Sequence, residues 1–220
     1  MTKVIEADRS FKVWWHLTRP HTLTASFVPV FLGTTIALTI EGEMINFPLF
    51  LALLVASMLI QAATNMFNEY YDYKLGLDNE QSVGIGGTIV RHGVAPSTIM
   101  AIALSFYGIA LLLGIYICAM SSWWIAAVGL VCMLIGYLYT GGPYPIAYSP
   151  FGELVSGTVM GMGIVLIAFF IQTKTVTLEA VLLSVPSMIL VGAIMLSNNI
   201  RDIVGDTEGG RKTIDRKSVV

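Results

Sequence analysis

Charge is scarce in this sequence. Lys, Arg, Asp and Glu make up 12% of its 220 residues, about half the share of an ordinary soluble domain. That scarcity excludes a soluble fold with a well-solvated surface. The formal net charge of −2 excludes the basic field that nucleic-acid binding requires. Cysteine is scarcer still. Cys118 and Cys132 both sit in apolar runs, with no C-x-x-C and no Cys/His spacing. That excludes a disulfide framework, a zinc site and haem attachment, and both read as small buried hydrophobes. Histidine is limited to His16, His21 and His92, without metal-ligand spacing and with no catalytic role expected. The first residues, MTKVIEADRSFKVWWHLTRPHT, do not read as a cleavable leader, which needs a short apolar core before small residues. Trp14 and Trp15 beside Lys12 and Arg19 read instead as an interfacial anchor.

What is abundant is apolar sequence. Hydrophobic residues make up 55% of the chain and the mean hydropathy is +0.77, as in a polytopic membrane protein. A bilayer core asks for about 20 apolar residues in a helix. Six segments meet or approach that length: 22–40, 47–67, 95–119, 123–139, 154–172 and 180–196, the fourth and sixth being short. The expected fold is all-α, a transmembrane helical bundle of six spans. Residues 1–21 form an interfacial N-terminal segment, 22–200 the membrane domain and 201–220 a polar tail. The glycines within the spans, Gly33, Gly157 and Gly161 among them, read as sites of close helix packing.

The few cations are unevenly spread. With the N-terminus placed in the cytoplasm, Lys3, Arg9, Lys12, Arg19, Lys74, Arg91, Arg201, Arg211, Lys212, Arg216 and Lys217 share one side, and Lys174 alone faces the other. That bias sets both termini and the long connections 68–94 and 140–153 on the cytoplasmic face of the membrane.

The acids are uneven too. NEYYDYKLGLD (68–78) follows the second apolar run, and NNIRDIVGD (198–206) follows the sixth. Each has Asn four residues before Asp, and the second continues as D-x-x-x-D. On a helix, positions i and i+4 share a face, so Asn68 goes with Asp72, and Asn198 with Asp202 and Asp206. Negative charge at a helix C-terminus opposes the helix dipole, and a local cost that recurs on two matching spans points to function. Carboxylate and amide oxygens suit Mg²⁺, which keeps one or two carboxylates, waters and substrate phosphate around it. Two facing acidic clusters repel unless cations lie between them. The simplest occupant is Mg²⁺ on each cluster with a diphosphate bridging, a leaving group whose charge the metals neutralise. At a membrane surface that implies a lipid diphosphate. Glu69, Asp78, Glu80 and Glu208, taken singly, read as acids of an ordinary solvated loop.

Lys74, Arg91, Arg201, Arg211 and Lys212 lie near the acids and suit phosphate, or serve topology and anionic-lipid attraction alone. SVGIGG (82–87) is not a phosphate loop; its flexibility would let the segment carrying Arg91 close over the site. Gln61, Thr64 and Asn65 are expected to face the bundle interior, Asn65 lining the same cavity as Asn68. Tyr139, Tyr144 and Tyr148 of YTGGPYPIAYSPFGE, like Tyr70 and Tyr71, serve as interface anchors or turn their rings to a carbocation.

These stretches, with WWHLTRPHTLTASFVPVFLGT and NNIRDIVGDTEGGRKT, resemble the UbiA superfamily of intramembrane aromatic prenyltransferases, from about residue 14 to 213. The resemblance implies a helical bundle around a central cavity. It implies two Mg²⁺ sites, one on Asn68 and Asp72 with Asp78, the other on Asp202 and Asp206 beside Asn198. Here Gly76 stands where a plain D-x-x-x-D would put its second acid. The catalytic set implied is Asn68, Asp72, Asp202 and Asp206, with Asn65, Lys74, Arg91, Tyr139, Asn198 and Arg201 binding substrate. The implied reaction joins a polyprenyl group from polyprenyl diphosphate to 1,4-dihydroxy-2-naphthoate with loss of CO₂, giving demethylmenaquinol in a bacterial cytoplasmic membrane. Other acceptors, such as 4-hydroxybenzoate or homogentisate, remain open. So does a divalent-cation transporter, although transporters set their ionisable groups near the midplane. Family members usually carry nine helices, so the expectation for six spans is a bundle lacking the last three, and an inactive remnant is the remaining alternative.

Overall fold

A computed structural model describes residues 11–77 and 87–201. The described residues form helices and no strand. A short helix α1 (Phe11–Leu17) buries Val13 and Leu17, and a 3₁₀ turn (Pro20–Leu23) leads into α2 (Thr24–Ile40). Next come α3 (Phe47–Lys74), the short α4 (Thr88–His92), α5 (Pro96–Met120) and α6 (Trp124–Leu138). A 3₁₀ turn (Ile146–Tyr148) precedes one long rod: α7 (Gly152–Ser156), a π-helical stretch (Gly157–Gly163) and α8 (Ile164–Thr173). Helix α9 (Leu178–Arg201) follows.

Five of these rods are long and apolar enough to cross a bilayer, from Pro20–Ile40 to Leu178–Arg201. The sixth, α6, has 15 residues, about 22 Å at 1.5 Å per residue, against a hydrocarbon core of about 30 Å. Together they make the six-rod bundle expected. Outward faces are apolar: Val28, Phe31, Leu112, Leu183 and Ile189 are all exposed, as lipid contact requires.

Side-chain chemistry sets the rod ends. Asn46 caps α3, its side-chain oxygen accepting from Leu49 N at 3.2 Å. Pro96 starts α5, where a missing N–H costs nothing. The short connections lie together at one end of the bundle. There Asn46 N donates to Gln172 Oε1 at 2.8 Å, and Lys174 Nζ donates to the carbonyls of Met120 and Ile171 at 3.3 Å. At the other end, Val13, Leu17, Met66, Phe67, Ile89 and Ile99 close a core between α1, α3, α4 and α5.

One boundary differs from expectation. Helix α3 runs to Lys74, two turns beyond the apolar run that ends at Phe67. The polar residues 68–74 remain helical because Glu69 and Tyr71 find tertiary partners. Asp72 therefore stands on the helical face its spacing from Asn68 implied, and Glu69, read as a loop acid, stands on the helix too.

Glycines on the rods allow close backbone approaches. A Cβ on Gly33 would collide with the Val165 carbonyl oxygen of α8. In the π-helical stretch, a Cβ on Gly161 would lie 2.6 Å from both Met188 Cα and Ser187 O of α9. Those neighbours are backbone, so no rotamer change relieves them. Gly161→Ala is expected to destabilise the protein by about 1–3 kcal/mol. Gly108→Ala, which meets nothing within 4 Å, is expected to be neutral or to stabilise by up to about 1 kcal/mol through helix propensity. Thermal unfolding in detergent would check the contrast; equal shifts would contradict this packing.

Candidate active site

The interior of the bundle is a cavity of about 410 Å³ between α2, α3, α5, α6, the π-helical rod and α9. Its two ends differ in chemistry. Towards Trp123 the lining is apolar, with Leu53, Ile117, Ile125, Ile164 and Ile167. At the other end Arg19, His21, Asn68, Asn198, Asn199 and Arg201 form a polar mouth. One turn inward stand Thr22 and Asn65, and a turn further Ser26 and Gln61. Among the described residues, no carboxylate lines this space.

The mouth is built around a strained turn. Arg19 precedes Pro20, whose ring disfavours the right-handed helical region for the residue before it. Arg19 adopts φ 49°, ψ 65°, a left-handed conformation uncommon outside glycine. Its carbonyl is held by Thr22, from N at 2.8 Å and from Oγ1 at 2.9 Å. Thr22 Oγ1 in turn accepts from Asn65 Nδ2 at 2.9 Å and from Gln61 Nε2 at 3.4 Å, so its donor and both lone pairs are in use. Asn65 Nδ2 also donates to Thr18 O at 2.9 Å. Strain of this kind persists where surroundings over-determine it, commonly at functional sites.

The turn aims the Arg19 guanidinium at the end of α3. It donates to Asn68 Oδ1 at 3.1 Å and lies 3.6 Å from Glu69 Oε2. Glu69 is 1% exposed. It accepts from the backbone N–H of Gly87 at 3.1 Å and of Ile89 at 3.2 Å. The solvated-loop reading of Glu69 is thereby corrected: it is a buried anchor joining α3, α4 and the Arg19 turn. Nearby, the hydroxyls of Tyr71 and Tyr137 share a 2.6 Å hydrogen bond. Across the mouth, Asn199 Nδ2 donates to Glu153 Oε1 at 2.7 Å. Deeper in, Ser26 Oγ is buried with no partner among the described residues.

Of the residues singled out from sequence, Asn65, Asn68, Tyr139, Asn198 and Arg201 come together on the cavity wall. Asp72 stands one turn beyond Asn68 on α3, half-buried. Lys74 and Arg91 are exposed and lie off the wall, and Tyr144 is 90% exposed. Asp78, Asp202 and Asp206 lie outside the described residues. Sequence reading missed Arg19 as a site residue, counting it only for topology. It also missed Ser26, Glu153 and Asn199. The Arg-Pro pair at the entry to the first span was the available signal for Arg19.

The donors suit the metal implied. Asn68 and Asp72 offer hard oxygens from one face of α3, and Asn198 offers another across the mouth. Among the described residues no group of three or more His, Cys, Asp and Glu is gathered, the remaining predicted ligands being outside them.

Fold and site define a multi-pass helical membrane protein with an interior cavity, polar and cationic at one end and apolar at the other. The chain matches the UbiA prenyltransferase family over residues 26–217, and it belongs to that family. It is 63% identical over 203 residues to the 1,4-dihydroxy-2-naphthoate octaprenyltransferase of Bacillus subtilis (strain 168), covering 92% of this chain and 65% of that protein. It is 30% identical over 205 residues to the protein of the same name from Mycobacterium tuberculosis, covering 93% of this chain and 69% of that one. The chain thus spans slightly under two thirds of the length of the Bacillus relative. In fold it is similar to a UbiA homolog from Archaeoglobus fulgidus bound to DMAPP and Mg²⁺. The TM-score is 0.63 at 16% identity, over 91% of this chain and 67% of that one.

Proposed function

We propose that the protein transfers a polyprenyl group from polyprenyl diphosphate to 1,4-dihydroxy-2-naphthoate, releasing diphosphate and CO₂ and giving demethylmenaquinol. The observation that carries this reading is the two-ended cavity. Arg19 and Arg201 line a mouth with three asparagines, above a bore lined by aliphatic side chains. An anionic head and a hydrocarbon tail are what such a space accepts. The name of the Bacillus relative supports the particular acceptor.

In this reading Asn68 and Asp72 hold one Mg²⁺, and Asp202 and Asp206 hold the other, with Asn198 beside them and Asp78 a further oxygen. Bound there, Mg²⁺ supplies neutralising charge to the departing diphosphate. Arg19 and Arg201 bind the diphosphate oxygens and orient the allylic carbon into the bore. The aliphatic wall keeps water from that carbon as its C–O bond breaks and the electron pair leaves with diphosphate. The ring carbon bearing the carboxylate forms the new C–C bond. The carboxylate then leaves as CO₂, returning its bonding pair to the ring. Tyr139 stands on the wall near this exchange. Lys74 and Arg91 act from outside, on the entering head group. The mouth opens on the cytoplasmic side of a bacterial cytoplasmic membrane, by the bias of Lys and Arg.

A cation-transporter reading is not favoured, since the described wall offers cations and amides to a passing cation. The test is product formation by the purified protein with Mg²⁺, a polyprenyl diphosphate and each of three acceptors. Prenylated product and CO₂ are expected from 1,4-dihydroxy-2-naphthoate. Product from 4-hydroxybenzoate or homogentisate but none from the naphthoate would overturn the reading.

A further inference from the structure

Glu153 is a buried carboxylate that the proposed reaction leaves unused. It stands in the first turn of α7 and is 7% exposed. Oε1 accepts from Asn199 Nδ2 at 2.7 Å. Oε2 is buried with no hydrogen-bond partner among the described residues. A half-satisfied buried carboxylate is a poor device for joining two helices, and such a group calls for another explanation. What Glu153 does is orient an amide. Its Oε1 takes the NH₂ end of Asn199, which turns Oδ1 the other way. Asn199 lines the cavity with Asn198 and Tyr139. The chain therefore presents a neutral, oriented carbonyl oxygen at a mouth whose other strong groups, Arg19 and Arg201, are cationic donors.

We infer that Asn199 Oδ1 accepts a hydrogen bond from a ring hydroxyl of the aromatic acceptor, with Glu153 as the positioning residue that fixes it. This rests on the prenyl-transfer reading. Chemistry sorts the two substrates between the two kinds of group. An ionised diphosphate carries acceptor oxygens only and has nothing to donate to an amide carbonyl; it belongs with Arg19 and Arg201. A phenolic hydroxyl is a donor, and Oδ1 suits it. A hydroxyl that donates to Oδ1 carries more negative charge on its own oxygen and pushes that charge into the ring, which favours attack. A site built to bond a hydroxyl also rejects analogues that lack it.

Steady-state kinetics of the full chain in lipid nanodiscs would test this, with Mg²⁺, a polyprenyl diphosphate and 1,4-dihydroxy-2-naphthoate. Asn199→Ala is expected to raise KM for the naphthoate about tenfold or more. KM for the diphosphate, and the Mg²⁺ concentration giving half the maximal rate, should stay within about twofold. Glu153→Ala should behave alike. Glu153→Gln still offers Asn199 Nδ2 a carbonyl oxygen and should restore the wild-type KM. An unchanged naphthoate KM in Asn199→Ala overturns the inference. So does a raised Mg²⁺ requirement, which would make Asn199 a metal ligand, or an equal rise in both substrate KM values with earlier thermal unfolding, which would make the pair structural. If wild-type protein transfers nothing to the naphthoate, the prenyl-transfer reading fails. Naphthoate binding, followed by its fluorescence, then decides separately: affinity equal in wild type and Asn199→Ala overturns the inference, and affinity lost in the variant upholds it.

Discussion

Asp72→Ala is expected to lower prenyl transfer on the order of a thousandfold while leaving the protein folded. The reason lies in how α3 divides its two described acids. Glu69 is committed to the N–H groups of Gly87 and Ile89 and to Arg19. Asp72 stands a turn beyond Asn68 on one helical face and is half-buried. A half-buried carboxylate near a diphosphate is useful only with a cation between them. In the proposed reading, removing it removes the charge that would hold Mg²⁺ there, and with it the neutralisation of the leaving group. Asp202→Ala should fall as far, because N-x-x-x-D recurs there. The measurements are single-turnover rates across a Mg²⁺ titration, with thermal unfolding alongside. Asp72→Asn keeps one oxygen and loses the charge, so it should fall between wild type and Asp72→Ala and need more Mg²⁺. Full rates in both alanine variants would show that the metal assignment is wrong.

Sequence made the bundle legible because lipid imposes a simple rule: about 20 apolar residues per span, with the few charges between them. The six rods fall where those runs fall. The end of α3 was not legible, because the apolar run stops at Phe67 while the helix continues to Lys74 on tertiary partners. Nor was the π-helical stretch Gly157–Gly163, since its glycines read equally as α-helical packing sites. On the cavity wall, N-x-x-x-D announced Asn68 and Asn198 through local spacing alone. Asn65 followed from its helical phase relative to Asn68. The rest of the mouth depends on pairs far apart in sequence: Arg19 with Asn68 and Glu69, and Glu153 with Asn199. Periodicity says nothing about such pairs. Glu69 read as an acid of a solvated loop until its partners were known, and Glu153 drew no reading at all.

Glu69 is the residue whose reading changed most, and its replacement carries the largest expected effect on stability. Glu69→Ala strands the N–H groups of Gly87 and Ile89 and removes the carboxylate 3.6 Å from the Arg19 guanidinium, which keeps its bond to Asn68. Breaking a buried ion pair by removing one partner costs about 3–5 kcal/mol, enough to unfold a marginal protein. The damage should start at α4, whose five residues cannot hold a helix alone. Limited proteolysis should therefore cut between Gly87 and Val94 before the membrane rods unfold. Glu69→Gln keeps one carbonyl oxygen for a backbone N–H but sets an NH₂ against the other, at about 1–3 kcal/mol. Because Arg19 bridges Glu69 and Asn68, this milder variant should also raise the Mg²⁺ requirement, although Glu69 holds no metal itself. Melting temperature, cleavage site and Mg²⁺ titration together separate the two roles. A Glu69→Ala protein that melts like wild type and resists cleavage before Val94 would show that the buried network does not anchor this end of the bundle.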